Sequence, residues 1–533
     1  MSKKRILKLI NLIITSGILL SNVANLSVSA TEVNDDSNVA FPIVEEKITL
    51  TMVGPQVGRG QWSERQYFQE MERLTNIAFE FNTPPRDDFA TSKQLLLASD
   101  DLPDIFYASD ITHQEQMEYG SYGFLIPLED LIEEHAPNIK KMLDERPEVR
   151  KAITTPDGHI YALPSVTEEP SFWRMWYNGD WLENLGIEEL PRTTDELYDL
   201  LVRFKNEDPN GNGEADEIPI SNHGGLSEFD DYLMMAFGVQ GMGMGLYGEN
   251  FDQVGFGPIQ PGYREYLEYM HRLWEEELLD HESFSQTNPQ KQAKGKQNLV
   301  GVFADASPVF MLGADPQDTS NPVFHPITSS LIDEPRVLES TGIGGGTFAI
   351  TKENEYPIET IKWIDYSYTK EGADLLHNGL EGFYWSWADD AQTTRVINDP
   401  PEGYDSPEDY RSSISPDWGI GVPIRRFASD DYEWSFDDPY NDWLRQEEQE
   451  KLVPYQVPRY PSVYFSDDDL RQIERIERDL STYVTRMRAE FVSGDRELSD
   501  AEWENYLQTI EQMNIEELIN IYQAGFNQYQ ETE

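Results

Sequence analysis

The sequence has 533 residues, of which 38% are hydrophobic and 12% aromatic, so it exceeds what one hydrophobic core usually supports and predicts two or more lobes. Its formal net charge of −57 excludes nucleic acid as a partner, because phosphate contacts need clustered Lys and Arg side chains. It contains no cysteine, which excludes disulfides, thiolate metal sites and the lipid-carrying cysteine of many exported bacterial proteins.

An export signal is predicted at the start of the chain. Basic residues at positions 3–5 precede a mostly apolar run over residues 6–20, and the small residues 28–30 suit a cleavage site. Residues 1–30 are therefore predicted to be a signal peptide, and residues 31–44 form a polar leader. No later stretch reaches the roughly 18 apolar residues that a membrane-spanning helix needs.

The next part of the chain alternates between strand and helix patterns. Strands are predicted at residues 48–53, 77–82 and 103–110, with helical spacing over residues 62–74 and 92–98 between them. This order is typical of a parallel sheet with crossover helices. Ligands of such sheets bind beyond the carboxyl ends of the strands. The predicted ligand-facing rim consists of the glycine-rich turn 54–61, Trp62, Ser109 and Asp110.

A second lobe is predicted to begin at SFWRMWYNGDW, residues 171–181. A long amphipathic helix is expected over residues 263–279 and a buried strand over residues 298–310. Four glycines in STGIGGGTFAIT, residues 340–351, indicate a bend or hinge within a strand. Residues 389–461 show no clear periodicity and are expected to wrap the surface, and two helices with caps at Ser466 and Ser499 end the chain.

The stretch DPNGNGEADEIPI, residues 208–220, has the pattern of a calcium loop. Side-chain oxygens occupy loop positions one, three, five and nine, a backbone carbonyl is available at seven, and glycine stands at six. Position twelve is Pro219 instead of the bidentate Glu of an EF-hand, and no second such loop is present for pairing. The pattern favours a structural calcium at the end of a helix over residues 194–204. The alternatives are a solvated turn without metal and a regulatory site.

Sequence motifs for catalysis are missing. The chain contains no HExxH, no GxSxG and no complete phosphate-binding loop, and its eight histidines are scattered. We therefore expect a binding protein and not an enzyme. The chain has 98 acidic residues, so residue counts alone do not exclude a catalytic carboxylate pair of the glycosidase type.

Aromatic residues are concentrated in two turn-like stretches. The first contains Trp173, Trp176, Tyr177 and Trp181, and the second contains Phe383, Tyr384, Trp385 and Trp387. Flat rings with polar neighbours suit sugars, whose C–H faces pack on aromatic planes while their hydroxyls bind polar side chains. The two clusters favour carbohydrate binding, with core packing as the alternative for any single ring.

Several segments in a fixed order carry a resemblance to a known family. They are DGHIYALP at residues 157–164, the DWL…LG…PRTTDELY block joined to the DPNGNGEADEIP loop, TFAITKENEYPIETIKWIDY at 347–366, and EGFYW at 381–385. The chain resembles the extracellular solute-binding proteins of ABC importers, in the carbohydrate-binding family, and more closely the subgroup that binds alginate and pectin oligosaccharides. Of these segments, the block joined to the calcium-like loop is the most specific.

The resemblance implies an α/β, two-lobe fold of the periplasmic-binding-protein type, class II, in which each lobe is a sheet with helices on both faces and a ligand cleft lies between the lobes. It assigns residues 45–165 and about 346–390 to the N-lobe, and residues 166–345 and about 391–533, with the C-terminal helices, to the C-lobe. It also implies one structural Ca²⁺, with the ligands Asp208, Asn210, Asn212, Glu214, Asp216 and Glu217.

The function implied is that of a secreted, monomeric receptor at the outer face of the cytoplasmic membrane, which lacks a lipid-anchor cysteine. It is expected to capture an oligosaccharide, with acidic pectin- or alginate-like sugars among the candidates, and to deliver it to the permease subunits of an ABC importer. The alternatives are a binding protein for peptides or other small solutes and, less favoured, a polysaccharide-degrading enzyme. The expected ligand contacts are Arg59, Trp62, Asp110, Trp176, Asn178, Asp305 and Trp385.

Overall fold

A computed structural model describes residues 39–169, 172–404 and 406–531. The predicted signal peptide and most of the polar leader lie outside these residues. None of the helices within them combines the length and the apolar composition that a membrane span requires.

The strands within the described ranges are β1 Ile48–Val53, β2 Ile77–Asn82, β3 Ile105–Tyr107, β4 Leu163–Thr167, β5 Met175–Tyr177, β6 Ile218–Ser221, β7 Met244–Tyr247, β8 Gln253–Phe256, β9 Val300–Ala304, β10 Val337–Leu338, β11 Ile343–Ile350, β12 Trp385–Trp387, β13 Thr394–Ile397, β14 Ile424–Arg426, β15 Ser435–Phe436 and β16 Gln456–Val457.

The α-helices are α1 Gln66–Thr75, α2 Arg86–Ser99, α3 His113–Ser121, α4 Glu129–His135, α5 Pro137–Glu145, α6 Pro147–Ile153, α7 Gly179–Asn184, α8 Thr194–Asn206, α9 Pro261–Glu275, α10 Asn288–Gly295, α11 Pro308–Leu312, α12 Pro357–Asp365, α13 Lys370–Asn378, α14 Pro407–Ile414, α15 Pro439–Lys451, α16 Asp467–Ser493, α17 Asp500–Gln512 and α18 Ile515–Glu531.

The first lobe is built on a six-stranded sheet with the order β14-β4-β11-β3-β1-β2. β1 is parallel to β2 and β3, β14 is parallel to β4, and β11 is antiparallel to both β3 and β4. Five strands of this sheet therefore share one direction and β11 opposes them. Leu50 and Met52 of β1 are buried two residues apart, as the alternation of a strand requires. The predicted parallel sheet is confirmed.

The second lobe contains a smaller sheet with the order β5-β9-β6, in which β9 is antiparallel to β5 and parallel to β6. Its hydrophobic core is separate from that of the first lobe and includes residues of β5, β9, α8 and α9. The last three helices also belong to it, because Leu480 and Phe491 of α16 and Leu518 of α18 are buried there. The chain therefore has the two-lobe α/β architecture expected from the sequence.

One strand of the first sheet comes from a part of the chain that the sequence analysis placed in the second lobe. β14 pairs in parallel with β4, so that Ile424 is opposite Ser165 and Arg426 is opposite Thr167. The predicted boundary, which gave residues 391–533 to the C-lobe, thus differs from the pairing in the structure. A strand of three residues inside an aperiodic stretch carries no local signal of its partner, because that partner is 250 or more residues away.

The long helix α16 begins and ends as its sequence predicts. The Ser466 hydroxyl accepts a hydrogen bond from the Asp469 backbone N–H at 3.2 Å, which satisfies one of the free donors at a helix start. Gly494 ends the helix in the left-handed conformation, with φ 78°. The sequence analysis did not predict α18, which follows α17 after a short turn.

A buried ion pair joins α16 to the core of the second lobe. The Arg488 guanidinium, with its side chain 4% exposed, pairs with the Asp230 carboxylate and also donates to the Tyr266 hydroxyl at 2.7 Å. Both charged side chains are largely buried, 4% and 12% exposed, so each depends on the other for compensation. The pair therefore fixes the position of α16 on the lobe.

We expect Arg488→Leu to lower the free energy of unfolding by about 3 kcal/mol, because it leaves the Asp230 carboxylate buried without a counter-charge. Urea unfolding monitored by circular dichroism measures the change. Arg486 on the same helix provides the control, since its pair with Glu490 is 61% exposed on the arginine side and Arg486→Ala should cost less than about 1 kcal/mol. Equal losses from the two substitutions would contradict this role for Arg488.

Candidate functional site

The chain crosses between the lobes at one edge of the first sheet. The chain passes from β4 to β5, residues 339–342 lead back from β10 to β11, and the chain leaves β14 again, through β15, for α15. β4 and β14 end at this edge, and the antiparallel β11 begins there. The carboxyl edge of the five parallel strands, called here the first-lobe edge, therefore faces the second lobe.

The direction of β5 defines the opposing surface. β5 follows the first crossing directly, so its start faces the first lobe, and the carboxyl ends of β6 and β9 lie at the same edge because of their pairing with it. This second-lobe edge carries Trp173, Arg174, Asn222, His223 and Asp305. The candidate ligand cleft lies between the two edges, in agreement with the rule that ligands bind beyond the carboxyl ends of strands.

Trp62 supports the glycine-rich turn of the first-lobe edge from behind. A Cβ on Gly54 would lie 2.4 Å from both the Trp62 ring and the Tyr107 carbonyl oxygen, so only glycine allows this approach. The Trp62 side chain is 1% exposed and packs against Phe68 and Tyr107, with ring centroids at 5.4 and 5.7 Å. The ring is enclosed in the first-lobe core, so the predicted ligand contact of Trp62 is corrected to a structural role behind the turn.

Arg59 lies on the surface of the same turn, and its charge is paired. Its Nε is 2.8 Å from Asp409 Oδ1, its Nη1 donates to the Gly403 carbonyl at 2.7 Å, and its guanidinium lies over the Tyr404 ring. These three partners come from the segment before and within α14. Arg59 thus presents its N–H groups at the first-lobe edge from a fixed position.

Asp110 is exposed at the same edge, just after β3. Its backbone has φ 46°, and its carbonyl accepts a hydrogen bond from Lys93 Nζ at 2.7 Å. Lys93 is buried and also pairs with Glu115 at 2.6 Å. The backbone of this turn is therefore held from below while the Asp110 carboxylate points to solvent.

Trp173 is the largest exposed apolar side chain of the second-lobe edge, with 46% of its surface accessible. Its carbonyl accepts a hydrogen bond from the buried Tyr232 hydroxyl at 2.8 Å, which fixes the backbone that carries the ring. The sequence analysis placed Trp173 in an aromatic cluster but selected Trp176 as the contact. Trp176 is fully buried and donates its indole N–H to the Asp305 carbonyl at 2.8 Å, so it positions the edge and does not line it.

Asp305 and Asn178 lie at opposite ends of the second sheet. Asp305 follows β9 and is only 3% exposed, and its carboxylate accepts from the Ala306 N–H at 2.7 Å and from Gln292 Nε2 at 3.0 Å. Its predicted ligand contact is therefore corrected to a structural role behind the second-lobe edge. Asn178 follows β5, which runs the other way, and it caps α7 while donating to the Val300 carbonyl. The predicted ligand contact of Asn178 is therefore corrected to a structural role at the far edge.

Two residues of the second-lobe edge were missed by sequence reasoning. Asn222 and His223 follow β6, and His223 Nδ1 lies 2.9 Å from Glu228 Oε2. The Asn222 side chain is fully buried, and neither of its amide atoms has a hydrogen-bond partner among the described residues. The signal that could have identified both is their place directly after the strand pattern IPIS.

Trp385 is held inside an aromatic stack beside the first lobe. The Arg395 guanidinium lies 3.5 Å from the ring centroids of both Trp385 and Trp434, and it forms two hydrogen bonds with Asp374 at 2.8 and 2.9 Å. Trp385 is 5% exposed, so the stack uses the ring face that the sequence analysis assigned to a sugar. The neighbouring Phe383 is exposed instead.

The calcium-like loop follows α8 and folds its side-chain oxygens back on its own backbone. Asp208 accepts from the Gly213 N–H at 3.1 Å, Asn212 accepts from the Glu214 N–H at 2.7 Å, and Asp216 accepts from both asparagine side chains. Asp208 itself has φ 49°. The oxygens of the predicted ligands therefore gather around one turn.

One carboxylate oxygen of Glu217 in this loop lacks a hydrogen-bond partner. Its Oε1 is buried without a hydrogen-bond donor, and burial, together with the charges of Asp216 and Asp208, raises its pKa. No group of three or more carboxylate or imidazole side chains in the described part of the chain could hold a metal by itself. A cation here would depend on asparagine and backbone oxygens as well, and such hard oxygen donors suit Ca²⁺.

The chain belongs to the family of bacterial extracellular solute-binding proteins, whose model matches residues 61–374. It is 30% identical over 525 residues to the fructooligosaccharide ABC transporter substrate-binding protein FusA of Streptococcus pneumoniae, a match that covers 92% of each chain.

Solved structures agree with this membership. The structure of S. pneumoniae FusA in complex with kestose matches with a TM-score of 0.75 and 29% identity, over 91% of this chain and all of that one. A FusA EF-hand mutant in complex with fructo-nystose matches with the same TM-score at 28% identity and the same coverage. The alginate-binding protein AlgQ2, in a structure without calcium ion, shares the fold with a TM-score of 0.69 at 21% identity, over 91% of this chain and 99% of that one.

Proposed function

We propose that this protein is an extracytoplasmic receptor that captures an oligosaccharide between its lobes and delivers it to the permease subunits of an ABC importer. The observation that carries the proposal is the match with FusA, which is named for fructooligosaccharides and shares 30% identity over 92% of both chains. The exposed indole of Trp173 at the second-lobe edge supports it, because a flat ring beside polar groups suits a sugar face.

The proposed mechanism is closure of the lobes around the ligand. A sugar can contact both edges at once only in the closed form. The difference between its affinities for the closed and open forms therefore sets how far the equilibrium shifts toward closure. Gly342 lies in the second crossing with φ 65°, and a Cβ there would be 2.3 Å from the Thr167 carbonyl. This glycine suits a crossing that must change its backbone angles.

The proposed ligand contacts combine predicted residues with residues found in the structure. Arg59 and Asp110 offer hydrogen bonds from the first lobe, His223 offers them from the second, and Trp173 offers a stacking surface. Trp62, Trp176 and Trp385 are proposed to position these contacts from the core. The family consists of binding proteins, and we propose that the chain has no catalytic activity, so that prolonged incubation with bound sugars releases no new reducing ends.

We propose further that the mature chain is exported by its predicted signal peptide and acts as a monomer at the outer face of the cytoplasmic membrane. An acidic surface, with 98 Asp and Glu against 41 Lys and Arg, suits a dispersed protein outside the cell. We expect the secreted protein to lack residues 1–30. We also expect it to elute from a size-exclusion column at the volume of a monomer.

Oligosaccharides are expected to raise the melting temperature and short peptides are not, because a ligand that binds only the folded state stabilises it by about 2.7 kcal/mol at 100 times its Kd. Thermal unfolding with kestose, other oligosaccharides and a peptide mixture tests this. Trp173→Ala should weaken sugar binding about tenfold, the loss of one stacking contact of roughly 1.4 kcal/mol.

The matched control for Trp173 is Tyr356→Ala, which removes an exposed aromatic ring just before α12, beyond the opposite edge of the first sheet. It should leave sugar affinity within about twofold. Stabilisation by peptides alone would contradict the proposed function. Equal losses from the two substitutions would remove Trp173 from the site.

We also propose one structural Ca²⁺ in the loop of residues 208–217, held by Asp208, Asn210, Asn212, Asp216, Glu217 and the backbone carbonyl of Glu214. Two observations support it: the buried, unpartnered Oε1 of Glu217, and the description of a FusA structure as an EF-hand mutant. When bound, the ion would supply positive charge to three carboxylates and would fix the turn after α8. It is not assigned a part in sugar binding.

Chelation of calcium is expected to lower the melting temperature by several degrees, and adding calcium back should restore it, because an ion bound only by the folded state stabilises that state. Asp208→Ala should abolish this response. Glu189→Ala, an exposed carboxylate outside the loop, should retain it. An unchanged melting temperature on chelation, with no calcium in the purified protein by elemental analysis, would contradict the site.

A further inference from the structure

Several basic side chains at the two cleft edges are already neutralised by carboxylates of the protein. In the first lobe, Arg59 is paired with Asp409 at 2.8 Å and Arg425 with Glu168 at 2.7 Å. Arg426, which ends β14, is paired with Asp417. These three arginines are thus held in ion pairs before a charged ligand could meet them.

The Asp417 carboxylate pairs with more than one basic side chain. It is buried, and it is shared by Arg426 and by His377, whose Nδ1 lies 2.7 Å from Oδ2. The buried Arg411 donates to the Asp417 carbonyl at 2.7 Å and pairs with Glu408 at 2.8 Å. A ligand carboxylate would have to displace a protein carboxylate from this network, with no gain in paired charge.

The second-lobe edge follows the same rule. Arg174 is paired with Glu448 at 2.6 Å, with both side chains largely buried. Lys291 is fully buried, pairs with Glu228 at 2.8 Å and donates to the Ala304 carbonyl at 2.6 Å, where β9 ends. These two cations therefore stabilise the edge from inside and are not available to a ligand.

Arg86 is the exception among the basic side chains considered at these edges. It begins α2, after the end of β2, and it is exposed without an ion pair in the described part of the chain. Its guanidinium reaches the segment before β14, since a Cβ on Gly419 would lie 3.4 Å from Arg86 Nη1. As a single cation it could balance only one charge of a ligand that lies across the cleft. A sugar with a carboxylate on every unit would leave its other charges without a counter-charge.

We infer that the cleft takes an uncharged oligosaccharide, whose hydroxyls bind the paired charges, and that it rejects oligosaccharides of uronic acids. This inference rests on the proposed function. Hydroxyl groups can donate to the carboxylates and accept from the arginines without breaking the ion pairs. A polyanion would lose hydration without a matching cation and would also approach a chain with a net charge of −57, which opposes its association.

The test compares a neutral panel, kestose, nystose and maltotriose, with an acidic panel, trigalacturonate and alginate trimers, by thermal unfolding and titration calorimetry of the full mature chain. At least one neutral sugar should bind, and its affinity should change by less than about twofold between low and high salt. The uronate sugars should produce no shift in melting temperature.

Three results separate the possible failures. Tighter binding of a uronate sugar than of any neutral sugar, abolished by Arg86→Ala, would overturn the inference and leave the proposed function intact. Binding of peptides alone, with no sugar of either panel bound, would overturn the proposed function itself. Binding of neutral sugars with no response to the uronates would support both.

A variant that removes a carboxylate from one of these ion pairs tests whether ion pairing causes the preference for uncharged sugars. Asp409→Asn removes one carboxylate charge that Arg59 pairs with and should shift the ratio of uronate to neutral affinity by about threefold to fivefold toward the uronate, as expected for one exposed ion pair. Glu133→Gln, which removes a carboxylate paired with Lys140 on α4 and α5, is the control and should not change this ratio. An unchanged ratio in Asp409→Asn would show that pairing of Arg59 does not set the preference for charge.

Discussion

The direction of the strands determines where this protein can bind a ligand. Five parallel strands of the first sheet end at the edge where the chain crosses to the second lobe, and the start of β5 faces back toward them. Every loop at the cleft follows from this arrangement, including the glycine turn after β1 and the turn after β9. The helices and the two cores serve to hold these strand ends opposite each other.

Ion pairs at the cleft give the same edges a fixed shape and leave Arg86 as the exposed, unpaired arginine among those considered there. Arg59 and Arg426 each have a carboxylate partner, so their N–H groups are oriented before a ligand arrives. Such preorganisation reduces the ordering that binding requires. It also makes the site a surface of donors and acceptors, which suits hydroxyl groups better than carboxylates.

Much of the fold could be predicted from the sequence, because strand alternation, helix caps and the order of strands and helices are local signals. The strands around Leu50 and the cap at Ser466 lie where the patterns indicate. The place of β14 in the first sheet could not be predicted, since only its distant partner β4 defines it.

The location of the candidate site, at the carboxyl ends of the strands, could be predicted from the sequence. The side chains that line it could be predicted only in part. Trp173 and Trp176 stand three residues apart in one aromatic run, yet one is exposed and the other fully buried. Composition does not distinguish them, because the packing that buries Trp176 comes from β9 and α15. Asn178 was misplaced for a related reason, since its edge depends on the direction of β5. The calcium ligands and the ligand contacts remain predictions.

Closure of the two lobes on a sugar is the central claim, and the distance between the lobes measures it most directly. The sequence has no cysteine, so spin labels can be attached to Leu95→Cys in the first lobe and Leu331→Cys in the second, both at exposed positions, and the label separation measured by pulsed electron paramagnetic resonance. The account predicts that a neutral oligosaccharide shifts the distances to a shorter and narrower distribution. A bound sugar that leaves the distribution unchanged would contradict it.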